Sequence, residues 1–192
     1  MFEDHVAKSA NKQKTKKVCD RTVVSHDPPL VQQNPGTAQW FADLVRSTGN
    51  TGRLALNIKA DGLQRALLDT FQTAGLPLTQ VFAFDMSVPD TLGYFATPMP
   101  VYTRMSEYED TSVFMDRAQG VWVDNFTGGF PQIARSQAIM GQGLRAALVS
   151  PELHGRDHRP LWDDILKNRL HENPLFELCT DFPQDAATLL GA

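Results

Sequence analysis

The sequence consists of short apolar runs separated by longer amphipathic stretches, and this pattern begins at Thr22. A run such as VFAFD at 81–85 is too short for a helix and is rich in β-branched and aromatic residues, so it predicts a strand. Nearly continuous apolar character is typical of strands that are buried on both faces, as in a parallel sheet. Seven segments predict strands: 22–25, 53–59, 80–85, 101–104, 120–124, 146–150 and 177–180.

The stretches between these runs have the spacing of amphipathic helices. In 60–74, apolar side chains recur every three or four positions, and Gly75 followed by Pro77 is a helix stop. Residues 106–118 carry Glu107 and Glu109 close to their start. Acidic residues are favourable near the N-terminus of a helix, so this pattern predicts a helix here. The predicted helices are 37–46, 60–74, 106–118 and 161–169.

Strands that alternate with helices indicate an α/β fold with right-handed crossovers. Two architectures have this pattern, a doubly wound sheet and a β/α barrel. A barrel brings all its strand ends to one mouth, whereas a doubly wound sheet uses mainly the strands at its switch point. Polar ends on nearly every predicted strand therefore favour a TIM-type barrel. These polar ends are His26, Asp27, Lys59, Asp85, Arg104, Asp124, Glu152, Thr180 and Asp181.

The length of the chain suggests that this barrel is incomplete. A complete barrel takes about 250 residues, and the chain has 192. We therefore expect the first one or two strands to be missing or altered. A missing strand leaves unpaired edges, which invite pairing with another chain, so self-association is expected. The predicted organisation is a lysine-rich, mobile segment at 1–21 followed by a barrel domain at 22–192.

Composition limits the classes of protein that the chain can belong to. It is 42% hydrophobic and 21% charged, enough to bury a sizeable core. A net charge of −4 argues against nucleic-acid binding, although the lysines near the N-terminus could contact phosphates or an anionic membrane surface. No apolar run approaches the roughly 18 residues of a membrane span. Two cysteines are typical of a reducing compartment, so a cytoplasmic location is expected.

Candidate chemistry begins at the first predicted strand ends. His26 is suited to acid–base chemistry near neutral pH, but Asp27 and the prolines that follow would also place it in a simple surface turn. Asn57 and Lys59 are two residues apart and therefore lie on the same face of a strand. A partly buried Lys59 could neutralise a phosphate or form a Schiff base, whereas an exposed one would only reach solvent.

The densest cluster of polar residues is SPELHGR at 150–156. In an extended chain, Glu152 and His154 would point to the same side, where they could exchange a proton or share a metal ion. Arg156 suits an anion. Asp85 and Arg104, at two other strand ends, would also serve as helix caps or loop hydrogen-bonding groups.

Seven motifs follow one another along about residues 22–185: VSHDPP at 24–29, LALNIKADGL at 54–63, FDMSVP at 84–89, YTRMSE at 102–107, VWVDN at 121–125, VSPELHGR at 149–156 and CTDFP at 179–183. Together they resemble the phosphatidylinositol phospholipase C-like phosphodiesterases, and within that superfamily the glycerophosphodiester phosphodiesterase-like branch.

The resemblance implies a β/α barrel that hydrolyses phosphodiesters, usually with a divalent cation such as Ca²⁺ or Mg²⁺. It gives His26, in a His-Asp motif, an acid–base role, and Lys59, in a Glu-x-Lys motif, the stabilisation of an anionic transition state. Asn57 takes the place of a metal-binding glutamate and is a neutral, poorer ligand for a hard cation. Glu3 would be a remnant of the Glu-x-Asp pair, and the family's His-Arg pair has no counterpart before His26.

The residues and the resemblance together predict a phosphoric diester hydrolase that acts on a glycerophosphodiester or a related small polar phosphodiester. The alternative is a catalytically degenerate barrel that binds a phosphorylated sugar or lipid headgroup, which Asn57 favours. A Schiff-base lyase that uses Lys59 is a third hypothesis. The predicted catalytic residues are His26 and Lys59, and the predicted substrate-binding residues are Asp85, Arg104, Glu152, His154 and Arg156.

Overall fold

Strands and helices alternate along most of the chain, as the hydrophobic pattern predicts. A computed structural model describes residues 13–18, 21–25, 36–49 and 52–191, with side chains from residue 37 onward. The chain divides into two compact units, Met1–Val101 and Tyr102–Ala192.

The first unit contains a mixed sheet with the strand order β3-β2-β1-β4-β5. β4 runs parallel to both β1 and β5, whereas β2 is antiparallel to β1 and β3. The elements are β1 (Gln13–Val18), β2 (Arg21–Ser25), β3 (Gly36–Thr37), α1 (Ala38–Ser47), β4 (Leu54–Ile58), α2 (Gln64–Ala74), a 3₁₀ helix (Leu78–Gln80), β5 (Val81–Phe84) and α3 (Val88–Phe95).

The core of the first unit lies between the sheet and its helices. All five residues of β4 are buried, and Leu54, Leu56 and Ile58 alternate onto the face that belongs to this core. α2 contributes Leu67 and Phe71, one helical turn apart. Gly75 ends α2 with a φ of 67°, a left-handed conformation that glycine adopts without steric cost. The helix stop predicted at this position is therefore confirmed.

The second unit is built on a sheet of four parallel strands in the order β6-β7-β8-β9. Its elements are β6 (Tyr102–Met105), β7 (Gly120–Val123), α4 (Gln132–Gly141), β8 (Arg145–Val149), a 3₁₀ helix (Pro151–His154), α5 (Arg159–Lys167), a 3₁₀ helix (Leu170–Glu172), β9 (Phe176–Cys179) and α6 (Pro183–Leu190).

The core of the second unit is formed by one face of this sheet and by the helices that cover it. Val121 and Val123 of β7 and Leu148 of β8 are buried there. Trp162 of α5 packs in the same core, and its indole N–H donates to the Ser150 hydroxyl at 2.9 Å. This bond satisfies the one polar atom of a buried indole.

The seven predicted strands coincide with β2 and β4–β9, so the α/β class with parallel strands is confirmed. Within the described residues the strands form two sheets and no closed barrel. The barrel therefore stays a prediction. No helix among the described residues is both long and apolar enough to cross a membrane.

The predicted helix at 106–118 is wrong, because polar side chains and backbone groups fold this segment back toward β6. Ser106 and Glu109 exchange two backbone hydrogen bonds of 3.1 Å around a tight turn. The Ser112 hydroxyl then donates to the Arg104 carbonyl at 2.6 Å, and the Thr103 hydroxyl donates to the Val113 carbonyl at 2.7 Å. Serine and threonine side chains compete with helical hydrogen bonds in this way, and early acidic residues do not outweigh that effect.

Other elements of the described residues were not predicted from the sequence. β1 (Gln13–Val18) lies in the lysine-rich segment that was expected to be mobile, and it pairs with both β2 and β4. Its strand character comes from backbone pairing, which a polar sequence does not reveal. The others are the two-residue strand β3, the helices α3, α4 and α6, and the three 3₁₀ helices.

Candidate active site

The first unit places a lysine and an aspartate together at one edge of its sheet. Lys59 follows β4 and Asp85 follows β5, and parallel strands bring their carboxyl ends to the same edge. The Lys59 ammonium group donates a hydrogen bond to Asp85 Oδ2 in an ion pair. The Lys59 side chain is 39% exposed and that of Asp85 is 21% exposed, so a ligand in solvent can reach both.

Asp85 has a backbone conformation that is rare for a residue other than glycine. Its φ of 68° lies in the left-handed region, which costs on the order of 1–3 kcal/mol for a side chain with a Cβ. Aspartate tolerates this region better than most residues because its short side chain can form local hydrogen bonds. Strain of this kind concentrates at functional sites, so it supports a role for this strand end.

The two loops that carry Lys59 and Asp85 are linked to each other by hydrogen bonds. Asp90 in the first turn of α3 accepts from the Gly62 amide at 2.9 Å and from Gln64 Nε2 at 2.5 Å. The Ser87 hydroxyl caps α3 by accepting from the Asp90 amide, and it donates to Asp61 at 3.2 Å. These bonds fix the position of the ion pair.

Tyr94 lies beneath this network and is fully buried. Burial raises the pKa of its hydroxyl far above the usual range, and the nearby Asp90 and Asp61 raise it further. The phenol therefore stays protonated, and it is unsuited to proton transfer at neutral pH.

The predicted metal ligands do not form a cation site in the part of the chain with described side chains. Asn57 is buried within β4 and carries a neutral amide. Glu3 and the predicted catalytic residue His26 lie outside the described residues. Among the described side chains, no three His, Cys, Asp or Glu residues are grouped so that they could hold a metal ion. The neutral amide of Asn57 does not fit the divalent cation that the resemblance implies, and the cation itself stays a prediction.

The second unit contains a pair that the sequence analysis missed. Asp124 directly follows β7, and its Oδ1 lies 2.6 Å from Nε2 of His154, which follows β8. Asp124 is buried and also accepts from the Asn125 amide at 2.8 Å. Asp124 directly follows β7, whereas His154 lies at the end of the 3₁₀ helix after β8, so no spacing in the sequence joins the two residues.

The predicted pairing of Glu152 with His154 is wrong. Residues Pro151–His154 form a 3₁₀ helix and not an extended chain, so alternate side chains do not share a face. Glu152 instead accepts from the Thr180 hydroxyl and from the Asp181 amide, the latter at 3.0 Å. It therefore ties the ends of β8 and β9 together.

The loop after β7 is held in place by hydrogen bonds that involve the side chains of three residues. Asn125 Oδ1 accepts from the Gly128 amide at 2.8 Å. The Glu107 carboxylate accepts from the Phe126 amide at 3.1 Å and from the Thr127 amide at 2.6 Å. Arg156 donates to the Asn125 carbonyl. The loop thus presents the Phe126 ring, which packs against the His154 ring with centroids 4.8 Å apart.

Arg104, a predicted substrate-binding residue, lies in β6 with its side chain 49% exposed. Its Nε donates to Glu109 at 2.6 Å, across the tight turn that follows the strand. This pair is accessible to solvent and contributes little to stability.

A cavity of about 450 Å³ lies elsewhere in the first unit. Its lining includes Arg53 and Gln80, which directly precede β4 and β5, so it opens at the amino ends of these strands. Ligand sites of α/β folds lie at the carboxyl ends of parallel strands, so this cavity is separate from the candidate site.

Glu107 gives the Phe126 loop a testable dependence on pH. Burial raises the pKa of Glu107, but hydrogen bonds from Glu107's own backbone, from Thr127 and from Phe126 outweigh this and hold the pKa below its ordinary value of 4.5. A lowered pKa in the folded state means that the stabilisation is complete above pH 4.5 and is lost as the pH falls through the folded pKa.

We therefore expect the protection of the Phe126 and Thr127 amides against hydrogen exchange to fall in this acidic range, after correction for the intrinsic exchange rate. Glu107→Gln should already show low protection at neutral pH and little further change on acidification. Equal protection in both proteins at every pH would show that Glu107 does not hold the loop.

Comparison with known proteins supports the fold. No protein-family model matches the sequence, and no curated protein matches it. A structure from Galdieria sulphuraria, assigned as a glycerophosphodiester phosphodiesterase, superposes with a TM-score of 0.69 at 12% identity, covering 94% of this chain and 85% of that one. The glycerophosphodiester phosphodiesterase of Agrobacterium tumefaciens superposes with a TM-score of 0.62 at 11% identity, covering 100% and 91%. The chain therefore has the fold of these glycerophosphodiester phosphodiesterase structures, as the sequence resemblance predicts.

Proposed function

We propose that the protein hydrolyses a small polar phosphodiester, such as a glycerophosphodiester. The Lys59–Asp85 ion pair carries this proposal, because it puts a positioned, solvent-accessible cation at the carboxyl edge of a parallel sheet. The fold of the two similar structures supports the same reaction class. It also supports our proposal of a TIM-type barrel in which the first strands are missing or altered.

In the proposed reaction, water attacks phosphorus and the bond from phosphorus to one ester oxygen breaks, which yields a phosphomonoester and an alcohol. Negative charge builds up on the phosphoryl oxygens as this happens, and the Lys59 ammonium group stabilises it. Asp85 positions that ammonium group through their ion pair. We assign to His26 the transfer of a proton to the departing oxygen, so that the alcohol leaves in its neutral form.

We expect Ca²⁺ and Mg²⁺ to bind weakly to this protein. Hard cations require several charged oxygen ligands. Asn57 offers only a neutral amide, and Asp85 is already paired with Lys59. Calorimetry with either ion checks the expectation, and dissociation constants in the micromolar range would contradict it.

Asn57→Glu gives this prediction a matched test, since it adds one carboxylate at the position of the family's metal-binding glutamate. Because Asn57 is buried, the added charge should lower thermal stability in a chelator, and a divalent cation should restore part of the loss. Asn57→Gln controls for the increase in side-chain size.

Asn57 also favours a second candidate function, a degenerate barrel that binds a phosphorylated sugar or lipid headgroup without hydrolysing it. The two candidates are separated by assaying hydrolysis of bis(p-nitrophenyl) phosphate and glycerophosphocholine, with and without Ca²⁺ or Mg²⁺. Turnover supports the hydrolase. Saturable binding of a phosphorylated ligand with no turnover under any condition supports the binding protein.

A further inference from the structure

Three rings form a continuous row at the carboxyl edge of the second sheet, and the proposed hydrolysis does not use them. The rings of Tyr108 and Phe126 have centroids 5.7 Å apart, and those of Phe126 and His154 are 4.8 Å apart. Tyr108 is 74% exposed and Phe126 is 46% exposed. We call these three residues the aromatic row.

Phe126 of the aromatic row lies on a loop whose backbone is fixed by hydrogen bonds. The backbone on both sides of the Phe126 ring is fixed by hydrogen bonds to Glu107, Arg156 and the Asn125 side chain. An exposed apolar surface on a well-fixed loop is typical of a ligand site, since ordering the loop costs nothing further when the ligand binds.

Hydrogen bonding to Asp124 determines which nitrogen of His154 is available to a ligand. A carboxylate only accepts, so the contact of 2.6 Å means that Nε2 of His154 carries the hydrogen. In the neutral imidazole, Nδ1 is then an acceptor. No described residue forms a hydrogen bond with that nitrogen.

Arg156 places a guanidinium group on the loop that carries Phe126. Its guanidinium group is anchored on the carbonyl of Asn125, the residue that follows Asp124. Its Nε–H is buried and has no hydrogen-bond partner among the described residues. The edge therefore offers one acceptor without a partner among the described residues, His154 Nδ1, which an alcohol hydroxyl can satisfy as a donor.

The carboxylates around the aromatic row are turned toward partners within the protein. Glu107 accepts three hydrogen bonds from the loop after β7. Glu109 pairs with Arg104, and Asp124 pairs with His154. The oxygens of these carboxylates are already used in hydrogen bonds within the protein, and Arg156 would repel an ammonium group held against the rings.

We propose that this edge of the second unit binds a sugar ring, such as the pyranose of a phosphorylated sugar. The C–H face of the sugar packs on Phe126 and Tyr108, and one hydroxyl group donates to His154 Nδ1. Two rings provide a wider apolar surface than a three-carbon glycerol chain covers. The proposal concerns binding alone, so it succeeds or fails separately from hydrolysis.

Nuclear magnetic resonance of the full chain, with D-glucose 1-phosphate as the probe, tests the proposal. We expect saturable shifts of the His154 imidazole and the Phe126 amide, with weaker effects from glycerol 3-phosphate and phosphocholine. The absence of saturable shifts at these residues would overturn the proposal. Equal or stronger shifts with glycerol 3-phosphate, phosphocholine or inorganic phosphate would overturn the assignment of the ligand as a sugar.

Two variants make the test specific to the aromatic row. Phe126→Ala and His154→Gln should each weaken binding of D-glucose 1-phosphate by about tenfold or more, the loss expected for one good contact. Trp40→Ala is the matched control, because Trp40 is also an exposed aromatic residue, at 56%, but lies in the first unit. Binding that is unchanged in Phe126→Ala, or that falls equally in Trp40→Ala, would overturn the site.

Asp124 is a positioning residue in this proposal, and its role has a spectroscopic signature. In the wild type, the ¹⁵N shifts of His154 should show hydrogen on Nε2. In Asp124→Asn, the amide can donate to Nε2, so hydrogen should move to Nδ1 and binding should weaken. A wild-type His154 that carries hydrogen on Nδ1 would contradict the proposed geometry.

Discussion

Replacing His26 or Lys59 with alanine is expected to lower the rate of phosphodiester hydrolysis by about 10²–10⁴-fold, the usual contribution of a positioned acid–base group. The loss in Lys59→Ala should be at least as large as that in His26→Ala. Electrostatic stabilisation of the transition state is often the largest single contribution to catalysis. The Lys59 ammonium group is held in place by Asp85, so it needs little reorganisation as the transition state forms.

The two variants should differ in how they affect substrate binding. Proton transfer acts mainly in the transition state, so His26→Ala should lower kcat and leave KM nearly unchanged. Lys59 also attracts the anionic ground state, and Lys59→Ala should therefore raise KM as well as lower kcat. Steady-state kinetics with bis(p-nitrophenyl) phosphate separates the two effects.

Lys167→Ala is the matched control for this experiment, because Lys167 is an exposed lysine in the last turn of α5. Its activity should equal that of the wild type. Full activity in both His26→Ala and Lys59→Ala would refute the assignment of the two catalytic residues, even if the protein is a phosphodiesterase.

Much of the fold could be predicted because strands that are buried on both faces leave a plain signal in the sequence. β5 is apolar throughout and β4 is apolar except for Asn57; both strands are fully buried, and each is followed by a polar residue. The short helices were harder to predict. α3 begins with a Ser87 cap and Pro89, but its eight residues give too few turns for a hydrophobic period to stand out.

The candidate site could be predicted only in part, because sequence spacing reports neighbours along the chain and not partners across a sheet. Lys59 and Asp85 are 26 residues apart, and Asp124 and His154 are 30 residues apart. Lys59 and Asp85 were visible only as two polar strand ends, and Asp124 and His154 only as one polar strand end and one residue of the polar cluster at 150–156. Glu152 and His154 are two residues apart, and this spacing predicted that their side chains would point to the same side of an extended chain. Because Pro151–His154 form a 3₁₀ helix, the two side chains instead have different partners.

Gly120→Ala is expected to destabilise the second unit strongly, because Gly120 lies against the face of a buried ring. A Cβ at this position would lie 2.6–2.8 Å from three atoms of the Tyr102 ring. Real Cβ atoms do not approach ring carbons this closely, so the ring or the strand has to move. Tyr102 is only 1% exposed, and its hydroxyl donates to Glu177 of β9 at 2.9 Å.

The added methyl group therefore affects three of the four strands of this sheet, because Tyr102 lies in β6, Gly120 in β7 and Glu177 in β9. Overpacking in such a core typically costs about 1–3 kcal/mol. For a protein of this size, each kcal/mol lowers Tm by roughly 2–4 °C. Calorimetry or denaturant unfolding of Gly120→Ala measures the loss directly.

Gly141→Ala is the matched control for the added methyl group. Gly141 is the last residue of α4, and a Cβ there would meet no atom within 4 Å. Since alanine favours helix over glycine by up to about 1 kcal/mol, this variant should be neutral or slightly more stable than the wild type. A loss of stability in Gly120→Ala no larger than that in Gly141→Ala would contradict the packing of Tyr102 over Gly120.

A double-mutant cycle then identifies the ring as the cause of the loss. Tyr102→Leu removes the flat ring, so Gly120→Ala should cost much less in that background than in the wild type. Tyr102→Phe keeps the ring and removes only the hydroxyl bond to Glu177, so the cost of Gly120→Ala should be the same as in the wild type. If the cost fell equally in both backgrounds, the hydroxyl bond would be responsible, and the ring would not be what requires glycine at position 120.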